Sequence, residues 1–373
     1  MHCKRVPKIY IIFIILASLM AAAAIGQAKA GNEVDLTKCW AFPTGDAVGE
    51  ALASDGVRVF VGLGGGNVEA LSLDGKKMWS SELGGGIGSN ILAGGSVFLV
   101  TSTVSSETGK GGGSVLRSLS KETGITNWTF KLPDAERHFL KIYNGSVVVV
   151  SKSGVIQAID AKSGEIKWKR EVAEAFAAEP EYTAEKVLVA TSDKQIFTVK
   201  LVSGEIDSIR KMIYAVSAVN ETALGETVAG DERGNVSLLL TGTDKPDWRF
   251  KSGGKVSDIF TVGDHLLVTS HDNFIYFLSS RNGSMGWKKR LPGRVSQIAT
   301  IMYRYALVSS FDEHAAVFTD LSNGKVAGQI AFGDAETLVY SPVAAGGLIF
   351  VLTNEAVYGY SLNGCKIRSE SPQ

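Results

Sequence analysis

The sequence predicts an all-β fold: an eight-bladed propeller of four-stranded antiparallel blades, with the ring closed by the N-terminal strand. Three observations predict it. All six tryptophans, Trp40, Trp79, Trp128, Trp168, Trp248 and Trp287, share one phase of a period near 40 residues, at spacings of 39, 49, 40, 80 and 39. A glycine recurs four residues before that slot, at Gly75, Gly124, Gly164, Gly204, Gly283, Gly324 and Gly364, and Asp244 holds the remaining position, which makes eight units. Short β-branched runs such as Val97 to Thr101, Val187 to Thr191, Leu266 to Thr269 and Leu348 to Leu352 are bounded by turn residues, and no long helical stripe follows the first thirty residues. A fixed period of this length means that one supersecondary unit is copied and stacked, and four strands in about 40 residues is the content of a propeller blade.

Residues 1–30 stand apart from the rest. His2, Lys4, Arg5 and Lys8 precede an apolar run from Ile9 to Gly26, followed by Ala28-Lys29-Ala30, a small-x-small cleavage pattern. This segment reads as a signal peptide, with an uncleaved N-terminal membrane anchor as the competing reading, because 18 apolar residues approach the length of a span. Residues 31–373 form the propeller, and both readings place it outside the cytoplasm, in a secreted, periplasmic or cell-surface location. Four of the 38 basic residues lie in this segment and none of the 38 acidic ones does, so its removal leaves 34 against 38, a net charge of −4. No cluster of Lys and Arg suited to phosphate neutralisation follows, which argues against nucleic acid as a partner.

Trp40 lies in outer-strand phase but precedes the first full unit, while the last unit ends in Cys365-Lys366-Ile367-Arg368 without an aromatic residue. The strand around Trp40 is therefore expected to join the blade built by residues 338–362, removing the open edges of the ring. That arrangement makes Cys39 and Cys365 neighbours, and an exported chain permits them to bond. Such a disulfide clasps a loop of over 300 residues, worth about 4 to 5 kcal/mol on the chain-entropy account. Lys38 before Cys39 does not suit a lipid-acylation site.

The clearest unit runs from Phe139 to Arg170. Strands are expected at Phe139 to Ile142, Val147 to Ser151, Ile156 to Asp160 and Ile166 to Arg170, with turns at Ser153-Gly154 and Lys162 to Gly164. The recurrent glycine is wanted because the hairpin loop ends in a residue of positive φ, which costs a residue bearing Cβ about 1 kcal/mol or more. An indole on the outermost strand can lie across the next blade and donate its N–H to a backbone carbonyl, so the tryptophans read as packing groups. Ser208, Gly328 and Arg368 replace the ring in three units. The 49-residue spacing reflects an insertion in Ser102 to Gly113, and the glycine runs at Gly62 to Gly66 and Gly84 to Gly88 open no helix, so they read as hairpin and connection loops rather than phosphate cradles.

Ala158-Ile-Asp-Ala-Lys-Ser-Gly-Glu-Ile-Lys-Trp168 resembles the docking motif of the pyrroloquinoline quinone (PQQ) repeat. That repeat is found in quinoprotein dehydrogenases and in BamB-like propeller lipoproteins of the bacterial outer-membrane assembly machine. Ala70 to Trp79 matches with one residue fewer, and Leu119 to Trp128 matches without the leading Ala and Asp. The resemblance covers residues 36–369. It implies a propeller, and it favours the lipoprotein relatives, which use the ring to bind other proteins. Dehydrogenases of this family hold the quinone between a floor tryptophan and a disulfide of adjacent cysteines; this chain has no adjacent cysteines, so those residues do not carry over and no cofactor is expected.

Candidate sites are sparse. Polar turns between second and third strands recur at Ser192-Asp193, Gly230 to Arg233, His271-Asp272-Asn273 and Phe311 to His314. An aspartate in such a turn can bond backbone amides two residues on, and that is the expected role. His271, Asp272, Asp312 and His314 carry metal-binding chemistry on consecutive units, but no metal centre is assigned to them. No Ser, His, Asp nucleophile arrangement can be nominated. Asn127, Asn144, Asn220, Asn235 and Asn282 head glycosylation triplets. The expected function is that of an exported, monomeric, non-catalytic scaffold binding a protein partner at the cell envelope or surface, touching membrane only through an uncleaved N-terminal segment. The alternative is a quinone- or metal-dependent oxidoreductase.

Overall fold

Eight antiparallel sheets follow one another around a ring in the computed structural model, which describes residues 36–45, 49–103, 112–134, 137–172, 174–240, 242–243, 245–301, 304–310, 314–362 and 364–365. Blade one comprises Gly49–Ser54, Arg58–Leu63, Asn67–Ser72 and Lys77–Glu82, and blade three His138–Tyr143, Ser146–Ser151, Val155–Asp160 and Ile166–Glu171. Blade four comprises Glu181–Tyr182, Lys186–Ala190, Gln195–Lys200 and Ile206–Lys211; blade five Val216–Glu221, Thr227–Asp231, Asn235–Leu239 and Arg249–Lys251. Blade six comprises Val256–Val262, His265–Ser270, Phe274–Ser279 and Met285–Arg290; blade seven Val295–Ile301, Tyr305–Ser310, Ala315–Asp320 and Val326–Ala331. In each the first strand lines the centre of the ring and the fourth lies at its circumference. The second and third strands are buried on both faces, so they read as runs such as Ser146-Val-Val-Val-Val-Ser151, in which every residue is buried.

Blade two departs from the four-strand pattern. Its inner strand is split into Gly86–Ile87 and Leu92–Ala93, both paired with Val97–Ser102, and Ser114–Leu119 and Thr126–Leu132 complete it. Side chains fill the gap. Ser89 Oγ accepts the Val100 amide at 2.8 Å, and Asn90 bonds both the N–H and the C=O of Leu140 in blade three, at 2.8 and 3.0 Å. A carboxamide carries the same donor and acceptor as a peptide unit, so Asn90 substitutes for a strand residue. The Gly62 to Gly66 run is also more regular than a loop: Gly62 sits within the second strand of blade one, and Gly64–Gly66 forms a 3-10 turn.

The ring closes through its ends. Thr37–Pro43 pairs antiparallel with Ala356–Ser361, the third strand of blade eight, beside Leu348–Leu352 and Val343–Ala345. Cys39 and Cys365 lie with Cα atoms 5.2 Å apart and are joined by a disulfide across 326 residues. The segment 1–30, most of the Ser102 to Gly113 insertion, Asp244 and Arg368 lie outside the described residues.

Neighbouring blades are joined by an indole laid on a glycine. A Cβ placed on Gly75 would lie 2.6 Å from the Trp40 ring, on Gly124 2.5 Å from Trp79, on Gly164 2.8 Å from Trp128 and on Gly324 2.7 Å from Trp287. Gly204 and Gly283 stand in the same relation to Trp168 and Trp248. These glycines hold φ between 68° and 80°. Trp40, Trp79, Trp128, Trp248 and Trp287 each donate the indole N–H to a carbonyl of the next blade, those of Leu73, Lys121, Ala161, Ser280 and Leu321, at 2.7 to 3.1 Å. The turn glycine thus serves two purposes, its φ and a flat seat for the ring.

Candidate functional site

The inner strands of blades four to seven face a central cavity of about 500 Å3. Carboxyl groups from successive elements converge on it: Glu179 before the inner strand of blade four, Glu181 on it, and Asp258 on that of blade six, with Ser217 and Asn220 of blade five between them. Glu221, at the end of blade five's inner strand, lines a contiguous recess of about 330 Å3 with Glu181 and Asn220. Inner strands bring these groups together because alternate side chains of each point into the ring.

Electrostatics follows from this enclosure. Asp258 is reached by water within the channel but surrounded by protein, and that burial pushes its carboxyl up to about 7; the Ile259 amide, 2.8 Å away, opposes the rise and Glu179 reinforces it. Glu181 is likewise raised to about 7 by burial first, then by Asp258 and Glu221, while Lys141 of blade three draws it down. Burial also raises Glu221, against the pull of Lys186. The Tyr182 hydroxyl, pushed well above its usual range by burial, donates to the Phe139 carbonyl at 2.8 Å. Asn220 is held by the Ile259 carbonyl and the Thr261 hydroxyl, each at 2.8 Å. Its burial removes it from the glycosylation candidates in the folded state. Such a channel can store protons near neutral pH and attract cationic groups.

The polar turns form a rim on one face. Asp231 accepts the amides of Arg233 and Asn235 at 2.9 Å. Asp193 accepts the Thr191 hydroxyl at 2.5 Å and the Gln195 amide group. Asp272 accepts the Gly253 and Phe274 amides at 2.7 and 3.0 Å and the Tyr276 hydroxyl at 2.6 Å. Burial pushes the Asp272 carboxyl up, but these donors outweigh it and hold it below the usual aspartate range. His271 and His314 are exposed, and Asp312 lies outside the described residues. Among the described residues no three His, Cys, Asp or Glu side chains gather as a metal site.

One cluster escaped the sequence. Asp134, in the connection from blade two to blade three, accepts the Ser151 and Ser153 hydroxyls at 2.7 Å and lies 3.3 Å from Nε2 of the fully buried His138. Here the carboxylate, not the imidazole, receives the serine protons. Nucleophilic catalysis needs the imidazole between the other two, so the cluster ties a connection to a turn. Glu336 does the same in blade eight, accepting the Thr353 hydroxyl at 2.6 Å.

Fold and junctions together define a closed, eight-bladed propeller of the PQQ-like repeat type. The chain belongs to the family of the outer membrane protein assembly factor BamB, whose family model matches residues 28–139, 111–207 and 216–364. Among solved structures it is similar to BamB from Moraxella catarrhalis, at 15% identity and a TM-score of 0.64, covering 91% of this chain and 100% of that one. It is also similar to the C-terminal WD40 domain of Sif2, at 12% identity and a TM-score of 0.70 over 88% and 99% of the two chains. The computationally designed Ika8 protein matches at 11% identity and a TM-score of 0.70 over 87% and 99%. No curated protein sequence matches the chain significantly.

Proposed function

We propose that this protein is an exported, non-catalytic scaffold whose rigid ring binds a protein partner at the cell envelope or surface. The observation that carries this reading is the use of the tryptophans: each indole is spent on a blade junction, seated on the glycine of the next blade. None is left to floor a quinone. The family's description as an outer membrane protein assembly factor supports a protein partner of the envelope. Export is supported by the character of residues 1–30 and by the Cys39–Cys365 pairing, which suits an oxidising compartment. A ring held by repeated junctions keeps its loops ordered for recognition without giving each a core of its own.

Affinity capture from crosslinked envelope membranes tests the proposal. The expected result is one envelope protein that co-purifies reproducibly. Dye-linked oxidation of alcohols or sugars after addition of quinone and calcium would replace the scaffold with the oxidoreductase alternative.

A further inference from the structure

Four Asn-Gly pairs occur in the chain, at Asn144-Gly145, Asn282-Gly283, Asn323-Gly324 and Asn363-Gly364, and Asn363 lies outside the described residues. Asparagine is a labile side chain, most of all before glycine, because no side chain on the second residue shields its backbone nitrogen from the carboxamide. The three described asparagines are all exposed, so exposure does not separate them. The seats of the indoles do. Gly283 and Gly324 lie beneath Trp248 and Trp287, and their amides are held within the turn, donating to the Ser279 and Asp320 carbonyls at 2.9 and 2.8 Å. Their asparagines are held as well: Asn282 Oδ1 accepts the Ser284 amide at 3.0 Å, and Asn323 Oδ1 accepts the Lys325 amide at 2.8 Å.

Asn144 and Gly145 form the whole of a two-residue loop between the first and second strands of blade three, closed by the pairing of Tyr143 with Ser146. Their φ values are 44° and 69°, and a hairpin this tight needs positive φ at both positions. A Cβ on Gly145 would meet nothing within 4 Å, so no ring covers this glycine. Among the described residues neither the Gly145 amide nor the Asn144 carboxamide has a hydrogen-bond partner. The attacking and attacked groups are thus free in this pair and tied in the other two.

We propose that Asn144 is a site of spontaneous deamidation in the folded protein, and that the indole seats protect Asn282 and Asn323 from the same reaction. The Gly145 nitrogen gives up its proton and attacks the Asn144 carboxamide carbon; a C–N bond forms to it, the bond to Nδ2 breaks, and ammonia leaves with a proton. Water then opens the resulting succinimide at either carbonyl, so that residue 144 becomes aspartate or isoaspartate. Aspartate adds a negative charge at the tip of the hairpin. Isoaspartate adds a methylene carbon to the main chain, for which a two-residue loop has no slack. The closure of Tyr143 on Ser146 depends on that loop, as do the bond from the Ala161 amide to the Gly145 carbonyl and that from the Lys167 amine to the Ser146 hydroxyl, each 2.9 Å. The strand that it loosens, His138–Tyr143, is the inner strand of blade three.

The test incubates the purified protein in mildly alkaline buffer, folded and in guanidinium chloride, and follows each Asn-Gly pair by peptide mass mapping. Enzymatic carboxyl methylation of isoaspartate is the second readout. In the unfolded chain Asn144, Asn282 and Asn323 should convert at similar rates, since each precedes a glycine that nothing covers. In the folded protein Asn144 should convert at least about tenfold faster than either of the others. An Asn144 that stays intact in the folded protein overturns the proposal, as does conversion of Asn282 or Asn323 at the same rate. A tenfold lead already present in guanidinium chloride overturns it too, because the preference would then come from neighbouring residues and not from the indole seats.

Discussion

A Cβ on Gly124 would lie 2.5 Å from the ring of Trp79, whose N–H reaches the Lys121 carbonyl at 3.0 Å in the same turn. One turn therefore offers the indole both a flat seat and an acceptor. Gly124→Ala meets two costs at once, a left-handed φ of 74° and a displaced ring. A loss of about 2 to 4 kcal/mol is expected from denaturant unfolding. Gly225→Ala is the control, because its φ is 80° but nothing lies within 4 Å; it should lose only about 1 kcal/mol. Equal losses would show that the seat contributes nothing.

The Cys39–Cys365 clasp binds the first strand to the last blade. The Cys39→Ser, Cys365→Ser double variant should unfold more easily by up to about 5 kcal/mol, with a matching drop in Tm when the wild type is reduced. Intact mass before and after reduction checks the bond; two free thiols in protein from an oxidising compartment would refute it.

Acid groups in the channel set a pH dependence opposite to that of paired surface carboxylates. Asp258 and Glu181 are raised from 3.8 and 4.5 to about 7 in the folded state. Between those limits the native chain holds protons that the unfolded chain has released, so stability falls as pH rises from about 4 to about 7 and then levels. Asp258→Asn should flatten this slope and raise stability at pH 8 relative to wild type. Unfolding midpoints at pH 5 and pH 8 for both proteins provide the measurement, and an unchanged slope would count against the enclosure of Asp258.

Asp272 is committed to its turn by the Gly253, Phe274 and Tyr276 donors. Asp272→Ala should cost about 1 to 3 kcal/mol, and neither chelator nor added zinc should move the Tm of wild type or variant. A zinc-dependent rise in Tm that His271→Ala abolishes would instead establish a metal site.

Much of the fold was legible because its causes are local. The hairpin that needs Gly164 and places Trp168 four residues later is written in one short stretch, and every repeat restates it. Closure by the strand around Trp40 followed from a single vacancy at the far end. The split inner strand of blade two was not legible, because Asn90 acts through Leu140, fifty residues away. The metal-capable turn residues were visible by type, but Asp272 shows that a carboxylate in such a turn can be consumed by its own backbone.

By itself the sequence determined the repeat, the number of blades and the seating of each indole, since these depend on φ, on alternation and on spacing within some forty residues. Only the tertiary structure decided what the ring gathers. The curvature of eight stacked sheets brings Glu181, Glu221 and Asp258 from three blades to one channel and places Asp134 between His138 and two serines. Convergence of that kind depends on the angle between blades, a sum over many contacts that no single segment of the chain encodes.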